Sequence, residues 1–395
     1  MRNFFYLLRR EFRLFFKDTT LMSVFLVAPI IYAVMFGFVY KSGKVEHLPL
    51  IVVDLDNTPL SNQLIDLLND NEKLHVILIK HDNLGTTEAM IEHQAVATVV
   101  IPDRFEASIL QKNYPEINTY INTTNLLTAN MASQGLQATI GTFSAGINMQ
   151  GLKKKGMNAE QASTQYEPFK ANYIKLFNET GNYFTFMWPG VLAVVLQQVI
   201  LLGLAVSFSR EYENNTFNSE LLRNTGSAFV AMMVKILPFW IMSTFILLTY
   251  YIFHHIFHAP IPSPLGNFVV TTGLFIVATS FLGVLVSAMF PNSLKATQVL
   301  MLLSMPAFII GGYTWPKEAM PMGVQWLANA LPLTPFLDAH KVMLLEKGTL
   351  SNVSSSLIHL CILILVYGIM AFSTIQFKIW RARKNFAEAI NGDSE

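Results

Sequence analysis

Residues 181–209 read GNYFTFMWPGVLAVVLQQVILLGLAVSFS and contain no Asp, Glu, Lys or Arg. A helix needs about 20 mostly apolar residues to cross the roughly 30 Å of hydrocarbon in a bilayer, so this stretch is long enough to span a membrane. Four further charge-free stretches lie at 21–40, 236–294, 296–316 and 348–377. The stretch 236–294 has room for two spans, because the prolines at 260, 262 and 264 divide it and a helix interior does not tolerate them. The sequence therefore predicts six transmembrane helices, at about 21–40, 185–208, 229–257, 266–290, 297–314 and 356–378.

The composition supports this interpretation. Of the 395 residues, 52% are hydrophobic and 13% are charged, against about 25% charged in soluble domains. The formal net charge of +1 offers no basic excess of the kind that neutralises nucleic-acid phosphates. A soluble globular protein and a nucleic-acid partner are both disfavoured. Cys361 is the only cysteine, so no disulfide forms within the chain.

Lys and Arg collect on one side of the predicted spans, and cytoplasmic flanks carry such an excess. The cations on this side are Arg2, Arg9, Arg10, Arg13, Lys17, Arg210, Arg223, Lys295, Lys378, Arg381, Arg383 and Lys384. The short connections on the other side carry only Lys317, Lys341 and Lys347. We expect a multi-pass membrane protein with both termini in the cytoplasm and the insert 41–180 outside.

The N-terminal residues 3–17 have an amphipathic pattern. Phe and Leu recur at three- and four-residue spacing, and Arg9, Arg10, Arg13 and Lys17 fall on the opposite side. This pattern predicts a helix that lies on the inner leaflet before the first span.

In the insert, short apolar runs alternate with helical patterns, which predicts a small α/β domain. The predicted strands are Leu48–Leu55, His75–Lys80, Ala95–Ile101 and Glu116–Ile121. The predicted helices are Pro59–Asn69, Thr86–His93, Arg104–Lys112 and a long polar helix over Thr124–Lys155, after which Asn158–Phe177 leads back to the membrane. The fold class is therefore a polytopic α-helical membrane protein with six transmembrane helices and an external α/β domain inserted between the first two.

Two clusters have the residue types of chemical sites. The strand 51–53 ends in Asp54-x-Asp56, similar to the nucleophile motif of haloacid-dehalogenase-like phosphatases; the alternative is a strand-to-helix turn capped at Asp56, Asn57 or Thr58 before Pro59. His254 and His258 are four residues apart on a predicted helix, a spacing that allows metal binding, but polar rings also anchor at the headgroup level without a ligand. We favour the structural interpretation for both clusters.

Two polar segments carry the functional signal. Residues 209–223 follow the second span and predict a charged helix with an apolar patch at Phe217, Leu221 and Leu222. Between the fifth and sixth spans, Pro and Gly residues predict short broken helices that dip back toward the membrane. The residues of this outer segment are Gly311, Gly312, Pro316, Met320, Pro321, Pro332 and Pro335.

The order of these features resembles the type-2 ABC transporter permeases, in particular the bacterial exporters with a large external domain between the first two spans. The resemblance covers nearly the whole chain. It is carried by the N-terminal helix, Pro29, Val-Asp-x-Asp-x-x-x-x-Ser at 53–61, Phe177-Asn178, Arg-Glu-x-Glu-x-x-Thr-x-x-x-Leu-Leu at 210–222, and Gly-x-x-x-Pro, Met-Pro and Pro-Leu-Thr-Pro at 312–335. The chain departs from the family at Asn215, where Gly is frequent, and at Thr225-Gly226.

The resemblance implies the permease subunit, in a bacterial inner membrane, of an ATP-driven exporter for drug-like or amphiphilic compounds. It implies a dimer with a second copy or a paralogue, a separate ATPase that holds ATP and Mg²⁺, and an external domain that either meets a periplasmic adaptor or receives cargo. No Gly-x-x-x-x-Gly-Lys-Ser/Thr motif occurs, so the chain itself has no phosphate loop and is not expected to be an enzyme. The alternative is a mechanotransmitter, which is driven by the same ATPase and acts on a periplasmic partner without moving a substrate.

Residues 209–225 would then form the coupling helix against the ATPase, with Arg210, Glu211, Glu213, Thr216, Phe217, Glu220, Leu221 and Leu222 as its contact residues. Glu211 and Glu213 would face the ATPase. The resulting division of the chain is 1–18, a cytoplasmic interfacial helix; 19–40, the first transmembrane helix; 41–180, the external domain; 181–380, transmembrane helices two to six with the outer re-entrant segment 315–350; and 381–395, a cytoplasmic tail.

The predicted orientation can be tested by labelling single cysteines in intact cells. In a Cys361→Ala background, Asn113→Cys and Asn352→Cys should react with a membrane-impermeant maleimide, whereas Asn218→Cys and Asn385→Cys should react only after lysis. External labelling of Asn218→Cys would contradict the six-span topology.

Overall fold

The computed structural model describes residues 2–166, 174–262 and 264–392. The chain divides into two compact units, Met1–Gly43 with Lys175–Glu395, and Lys44–Ile174. Part of the predicted return segment 158–177, Ser263 among the prolines, and the last residues of the predicted tail lie outside the described residues.

In the described part of the chain, six helices are long and apolar enough to cross a membrane, as predicted. These first to sixth spans are Thr19–Val39, Tyr183–Glu213, Ala228–Ile256, Leu265–Met289, Ser293–Ile310 and Ser354–Asn385. The second span continues five residues beyond the predicted 208, to Glu213. The helix of the sixth span runs on to Gly392, so the predicted tail begins as a continuation of that helix.

Two spans are interrupted. The first consists of Thr19–Met22, a wider π turn at Ser23–Val27 and a helix Ala28–Val39 whose first turn contains Pro29. The fifth consists of Ser293–Ser304 and Ala307–Ile310, with Pro306 between them. Proline lacks an N–H and cannot continue the preceding helix, which accounts for the interruption at 306.

The second span is the centre of the helical unit and contacts the first, third, fourth and fifth spans. Trp188 on this span is fully buried, and its indole N–H donates to the carbonyl of Ala33 at 3.0 Å. Gly203 allows close packing, because a Cβ there would lie 2.4 Å from the ring of Phe239. The small residue therefore sets how closely the second and third spans approach.

The N-terminal helix Arg2–Lys17 packs against the third span. Leu7 and Phe15 are buried, while Phe5 and Phe16 remain exposed. The prediction of a helix that rests only on lipid is thus incomplete, since one of its faces is part of the protein core.

The chain leaves and re-enters the helical unit at one point. The N–H of Tyr183 donates to the carbonyl of Gly43 at 2.5 Å, and the rings of Tyr40 and Tyr183 meet edge to face at 5.4 Å. Gly43 has φ +66°, a conformation that favours glycine. The first two spans are joined at this level by a backbone hydrogen bond.

The inserted unit contains a four-stranded sheet in the order β2-β1-β3-β4. Its strands are β1 Leu48–Asp54, β2 Leu74–Lys80, β3 Ala97–Ile101 and β4 Asn118–Ile121. β1 pairs in parallel with β2 and β3, with a register shift against β2 between Leu50 and Ile51, and β4 runs antiparallel to β3. β4 is shorter than the predicted 116–121 because its pairing with β3 begins at Asn118.

Helices cover both faces of this sheet. They are Pro59–Asn69, Thr86–Glu92, Phe105–Leu110 and the long helix Leu126–Lys154. A further helix, Ala159–Tyr166, packs against the long helix. On one face, Leu50 and Val52 pack with Leu64 and Leu136. On the other face, Ile51 and Val53 form a smaller core with Ala89, Ala95 and Val100. The unit therefore has its own hydrophobic core.

The inserted unit should fold in isolation, because it buries this core without the spans. We expect residues 44–174, expressed alone, to give a cooperative thermal transition by circular dichroism. Leu64→Ala, in the core, should cost about 2–5 kcal/mol of unfolding free energy. Leu84→Ala, at an 80% exposed position, should change it by less than about 0.5 kcal/mol. A non-cooperative transition of the unsubstituted domain would contradict its autonomy.

Candidate functional site

Glu211, near the end of the second span, and Lys235, in the third span, form a buried ion pair. Each is only 2% exposed. Lys235 Nζ donates to Glu211 Oε1 at 2.5 Å. A buried charge is costly without partners, so this pair fixes the two spans against each other.

The N-terminal helix completes the cluster. The guanidinium of Arg10 binds both oxygens of Glu211, through Nη1 at 2.6 Å and Nη2 at 3.1 Å. Glu11 accepts from Lys235 Nζ at 2.9 Å. Burial alone would lower the pKa of Arg10, but the surrounding carboxylates raise it, so the guanidinium remains charged.

The loop after the second span is tied to the same carboxylate. Thr216 Oγ1 donates to Glu211 Oε2 at 2.5 Å. Phe217 and Leu221 are buried in the main hydrophobic core, on a π-helical turn Phe217–Leu222. The loop therefore rests on the ion cluster and on the core below it.

The prediction of one coupling helix over 209–225 is wrong, because the segment is not a continuous helix. The second span ends at Glu213, and Asn215 has φ +57° before the π turn begins. This left-handed conformation favours Gly and tolerates Asn, which explains how Asn215 serves at a position where the resembling family frequently has Gly. The segment is the end of a span, a tight turn and a separate short helix.

The predicted surface of this segment is also partly wrong. Glu211, Phe217 and Leu221 are buried and cannot meet a partner protein, and Leu222 is half-buried. The burial follows from the ion cluster and the core. The side chains that remain exposed in 209–223 are Glu213, Asn214, Asn215, Asn218, Ser219, Glu220 and Arg223.

Two of these exposed carboxylates link the loop to neighbouring elements. Glu220, whose side chain is 52% exposed, binds Arg10 Nε at 2.7 Å. Glu213 accepts from Asn292 Nδ2 at 3.4 Å and from the backbone N–H of Ser293 at 3.3 Å. Glu213 thus binds the N-terminus of the fifth span, where the helix dipole favours a negative charge.

Arg210 forms a separate pair with Asp18, just before the first span. Partial burial raises the pKa of Asp18, but the Leu21 N–H and Arg210 outweigh it, so the pKa lies below its usual value. Because it lies below the unfolded value of about 3.9, the stabilisation is present above that pH and is lost as the pH falls through the folded-state pKa. At neutral pH the pair connects the first and second spans.

The ion pairs form one network, in which Glu220 binds Arg10, Arg10 binds Glu211 and Glu211 binds Lys235. This network connects the loop, the N-terminal helix and the second and third spans.

The partners of Glu211 were not predicted. The amphipathic pattern places Arg10 on the polar side of a helix on the inner leaflet, and no sequence pattern assigns a role to Glu11 or Lys235. A lysine within an otherwise apolar span was the available signal, since an ionisable residue there requires a partner.

The segment between the fifth and sixth spans consists of short helices, as predicted from its Pro and Gly residues. These are Lys317–Ala319, Met322–Ala330 and Leu333–Leu344. Pro316, Pro321 and Pro332 lie at their N-caps, and Pro335 is buried in the first turn of the last helix. Prolines here start helices instead of breaking them.

Gly311 and Gly312, at the start of this segment, are favoured over larger residues for different reasons. Gly312 has φ +86°, and a Cβ on Gly311 would lie 2.7 Å from the carbonyl oxygen of Ala307. The adjoining Tyr313 stacks on Phe186 at 4.9 Å and donates to its carbonyl. Lys317 binds Asp338 at 2.5 Å. The Tyr313 contacts attach the segment to the second span, and the Lys317–Asp338 pair connects two of its helices. Met320 is the C-cap of the short helix Lys317–Ala319.

The aspartates of the phosphatase-like motif act as structural acceptors. Asp54 is buried and accepts from Ser61 Oγ at 2.7 Å and from the N–H groups of Asp56 and Asn57 at 3.1 and 3.0 Å. Thr58 is the N-cap of the helix that begins at Pro59. The Asp54 carboxylate thus accepts three hydrogen bonds from its own turn and helix, and the strand-to-helix turn is the better interpretation.

The histidines at the end of the third span also have structural contacts. His254 Nδ1 lies 2.8 Å from the carbonyl of Tyr250, and His255 meets Tyr251 edge to face. His258 has φ +53°. Over the part of the chain that the structure describes, no three His, Cys, Asp or Glu side chains group as metal ligands.

Comparison with known proteins gives a consistent result. The family model described as "ABC-2 family transporter protein" matches residues 19–373. The chain is 22% identical over 377 residues to the "Probable multidrug ABC transporter permease YbhR" of Escherichia coli K12, covering 94% of this chain and 98% of that protein. It is 21% identical over 355 residues to the "Inner membrane transport permease YhhJ" of the same strain, covering 87% and 89%. It is also similar to "ABC transporter G family member 20" of Dictyostelium discoideum, 23% identical over 86% of this chain and 45% of that protein.

The ion cluster makes Glu211 a determinant of stability. Glu211→Gln leaves Arg10 and Lys235 without their buried counter-charge, so we expect a loss of about 3–5 kcal/mol and a clear drop in the melting temperature of the full-length protein in lipid nanodiscs. Glu213→Gln, the same change at an exposed position, should cost less than about 1 kcal/mol. Lys235→Met added to Glu211→Gln should recover part of the loss. Equal melting temperatures for the two single variants would refute the burial of the cluster.

Proposed function

Because the chain belongs to the ABC-2 family of transporter proteins, whose members are membrane transport subunits that work with ATPase subunits, we propose that it is the permease of an ATP-driven exporter. It is a multi-pass inner-membrane protein, in line with its apolar helices and its permease relatives. The proposed cargo is drug-like or amphiphilic and moves outward. The name of the Escherichia coli relative, a probable multidrug permease, supports this class of cargo.

The observation that carries the proposal is the network of ion pairs that connects the exposed loop to the N-terminal helix and to the second and third spans. The ATPase would bind the exposed side chains Asn218, Ser219, Glu220 and Arg223. Motion of this surface would pass from Glu220 to Arg10 and Glu211, and from there to the N-terminal helix and the second and third spans. Coupling residues therefore fall into two groups: exposed side chains that touch the ATPase, and buried ones that transmit its motion.

The energy source in this proposal lies on the partner. ATP and Mg²⁺ would bind the ATPase, since this chain contains no phosphate-loop motif. The loop and both termini would lie in the cytoplasm, as the distribution of Lys and Arg favours. A second permease copy or paralogue would complete the pathway, and the inserted domain would meet a periplasmic adaptor. The short helices 317–344 would border the outward exit.

The coupling surface is tested by a substitution that changes only the surface. Asn218→Arg places a long cation on the exposed loop, and a disrupted contact of about 1.4 kcal/mol lowers affinity roughly tenfold. We expect ATP hydrolysis by the permease–ATPase complex, purified together in lipid, to fall by a similar factor at limiting permease. The melting temperature of the permease should not change, because Asn218 is exposed.

Asn385→Arg provides the matched control, because it is the same change at an exposed position on the helix of the sixth span. This variant should hydrolyse ATP like the wild type. If both variants behave like the wild type, the loop is not the contact with the ATPase. If both lose activity equally, added positive charge on this side of the membrane is responsible, and the assignment also fails.

A further inference from the structure

The helical unit contains a cavity of about 600 Å³ among the second, third and fourth spans and the helix Leu333–Leu344. This volume is in the range of small-molecule sites. The cavity is separate from the ion cluster, with which it shares no lining residue.

The lining of the cavity is apolar and aromatic and has no charge. Trp240, Tyr251, Phe268 and Phe336 contribute rings, and no Asp, Glu, Lys or Arg is among the lining residues. An occupant with a net charge would find no counter-charge here, and desolvation of an unpaired ion is costly. The cavity therefore favours a neutral molecule with an aromatic body.

The rim of the cavity faces outward from the bundle. Leu248 on the third span and Val269 on the fourth are 55% and 60% exposed and belong to the lining. Both lie within helices long enough to cross a membrane. In a bilayer such side chains meet lipid, so a molecule dissolved in the membrane reaches the cavity without crossing a polar surface.

One lining group specifies the polarity of the occupant. His254 Nδ1 lies 2.8 Å from the carbonyl of Tyr250, and a carbonyl only accepts, so Nδ1 carries the proton. In the neutral ring Nε2 is then an acceptor, and it has no partner among the described residues. An occupant that presents an N–H or O–H group satisfies it.

Other polar groups around the cavity are also unpaired. The hydroxyls of Tyr250 and Thr272 and the Nδ1 atom of His340 are buried without a hydrogen-bond partner in the described part of the chain. All three residues line the cavity. Buried polar atoms are rarely left without a partner, so the wall of the cavity contains more polar groups than its apolar lining suggests.

We propose that this cavity is a binding site for neutral aromatic amphiphiles that enter from the lipid phase and donate a hydrogen bond to His254 Nε2. The site shares no lining residue with the ion cluster of the proposed coupling mechanism, so it can be tested separately from that proposal.

The probe for this site is N-phenyl-1-naphthylamine, a neutral aromatic amine with one N–H whose fluorescence rises in apolar surroundings. We expect saturable binding to the full-length permease in nanodiscs, above the signal of empty nanodiscs. The matched anionic probe, 8-anilino-1-naphthalenesulfonate, has the same ring system and an added sulfonate. It should show no saturable binding that the neutral probe displaces.

Two glycines of the fourth span provide a matched pair of variants. A Cβ at Gly273 or at Gly266 meets no atom within 4 Å, so a side chain can start at either position without a clash at Cβ, but only Gly273 lines the cavity. Gly273→Phe should weaken binding of the neutral probe by about tenfold or more, and Gly266→Phe should leave it within about twofold. His254→Phe keeps a ring in place and removes the acceptor, so it should weaken binding roughly fivefold, as for one hydrogen bond.

The proposal is overturned if the two glycine variants bind the neutral probe equally well, since the cavity is then not the site. It is also overturned if the sulfonate binds in competition with the neutral probe, because an uncharged cavity would not accept it. If Gly273→Phe fails to fold, unchanged binding by His254→Phe contradicts the assigned hydrogen bond and decides against the proposal. This binding assay contains no ATPase, so a negative result for the cavity does not bear on the proposed coupling to an ATPase.

Discussion

A carboxylate buried among apolar helices requires cations beside it, and Glu211 obtains two of them from distant parts of the chain. Arg10 comes from the N-terminal helix and Lys235 from the third span. The cost of burying any one of these charges alone is several kcal/mol. The N-terminal helix, the second span and the third span are therefore stable in this arrangement only together. The loop after the second span is positioned by the contacts of Thr216 with Glu211 and of Glu220 with Arg10.

Local patterns in the sequence were sufficient for the secondary structure but not for the site. Charge-free stretches predicted the six spans because lipid excludes charge along a whole helix, and alternating runs predicted the strands. The burial of Glu211 could not be read in this way, since its partner Arg10 lies 201 positions away in sequence. The interruption at Asn215 was missed for a different reason: the helical pattern of 209–223 continues across a residue that adopts a left-handed conformation.

The two ends of the third span differ in chemistry. Near its start, Lys235 belongs to a dense cluster of ion pairs, whereas near its end His254 and Tyr250 line an uncharged cavity. Pro238 lies inside this helix, close to the charged end, where it removes one backbone hydrogen bond. The third span thus contributes residues both to the ion cluster and to the cavity proposed as a ligand site. A rotation of this helix would change the geometry of both.

The hydrogen bond between Tyr183 and Gly43 has a consequence for how the chain tolerates its insert. Because the first two spans already meet where the insert begins and ends, a domain placed there adds little strain to the helices that carry it. A different insert joined at this point would leave the packing of the spans intact. Substitutions in the insert and in the spans should then affect stability separately.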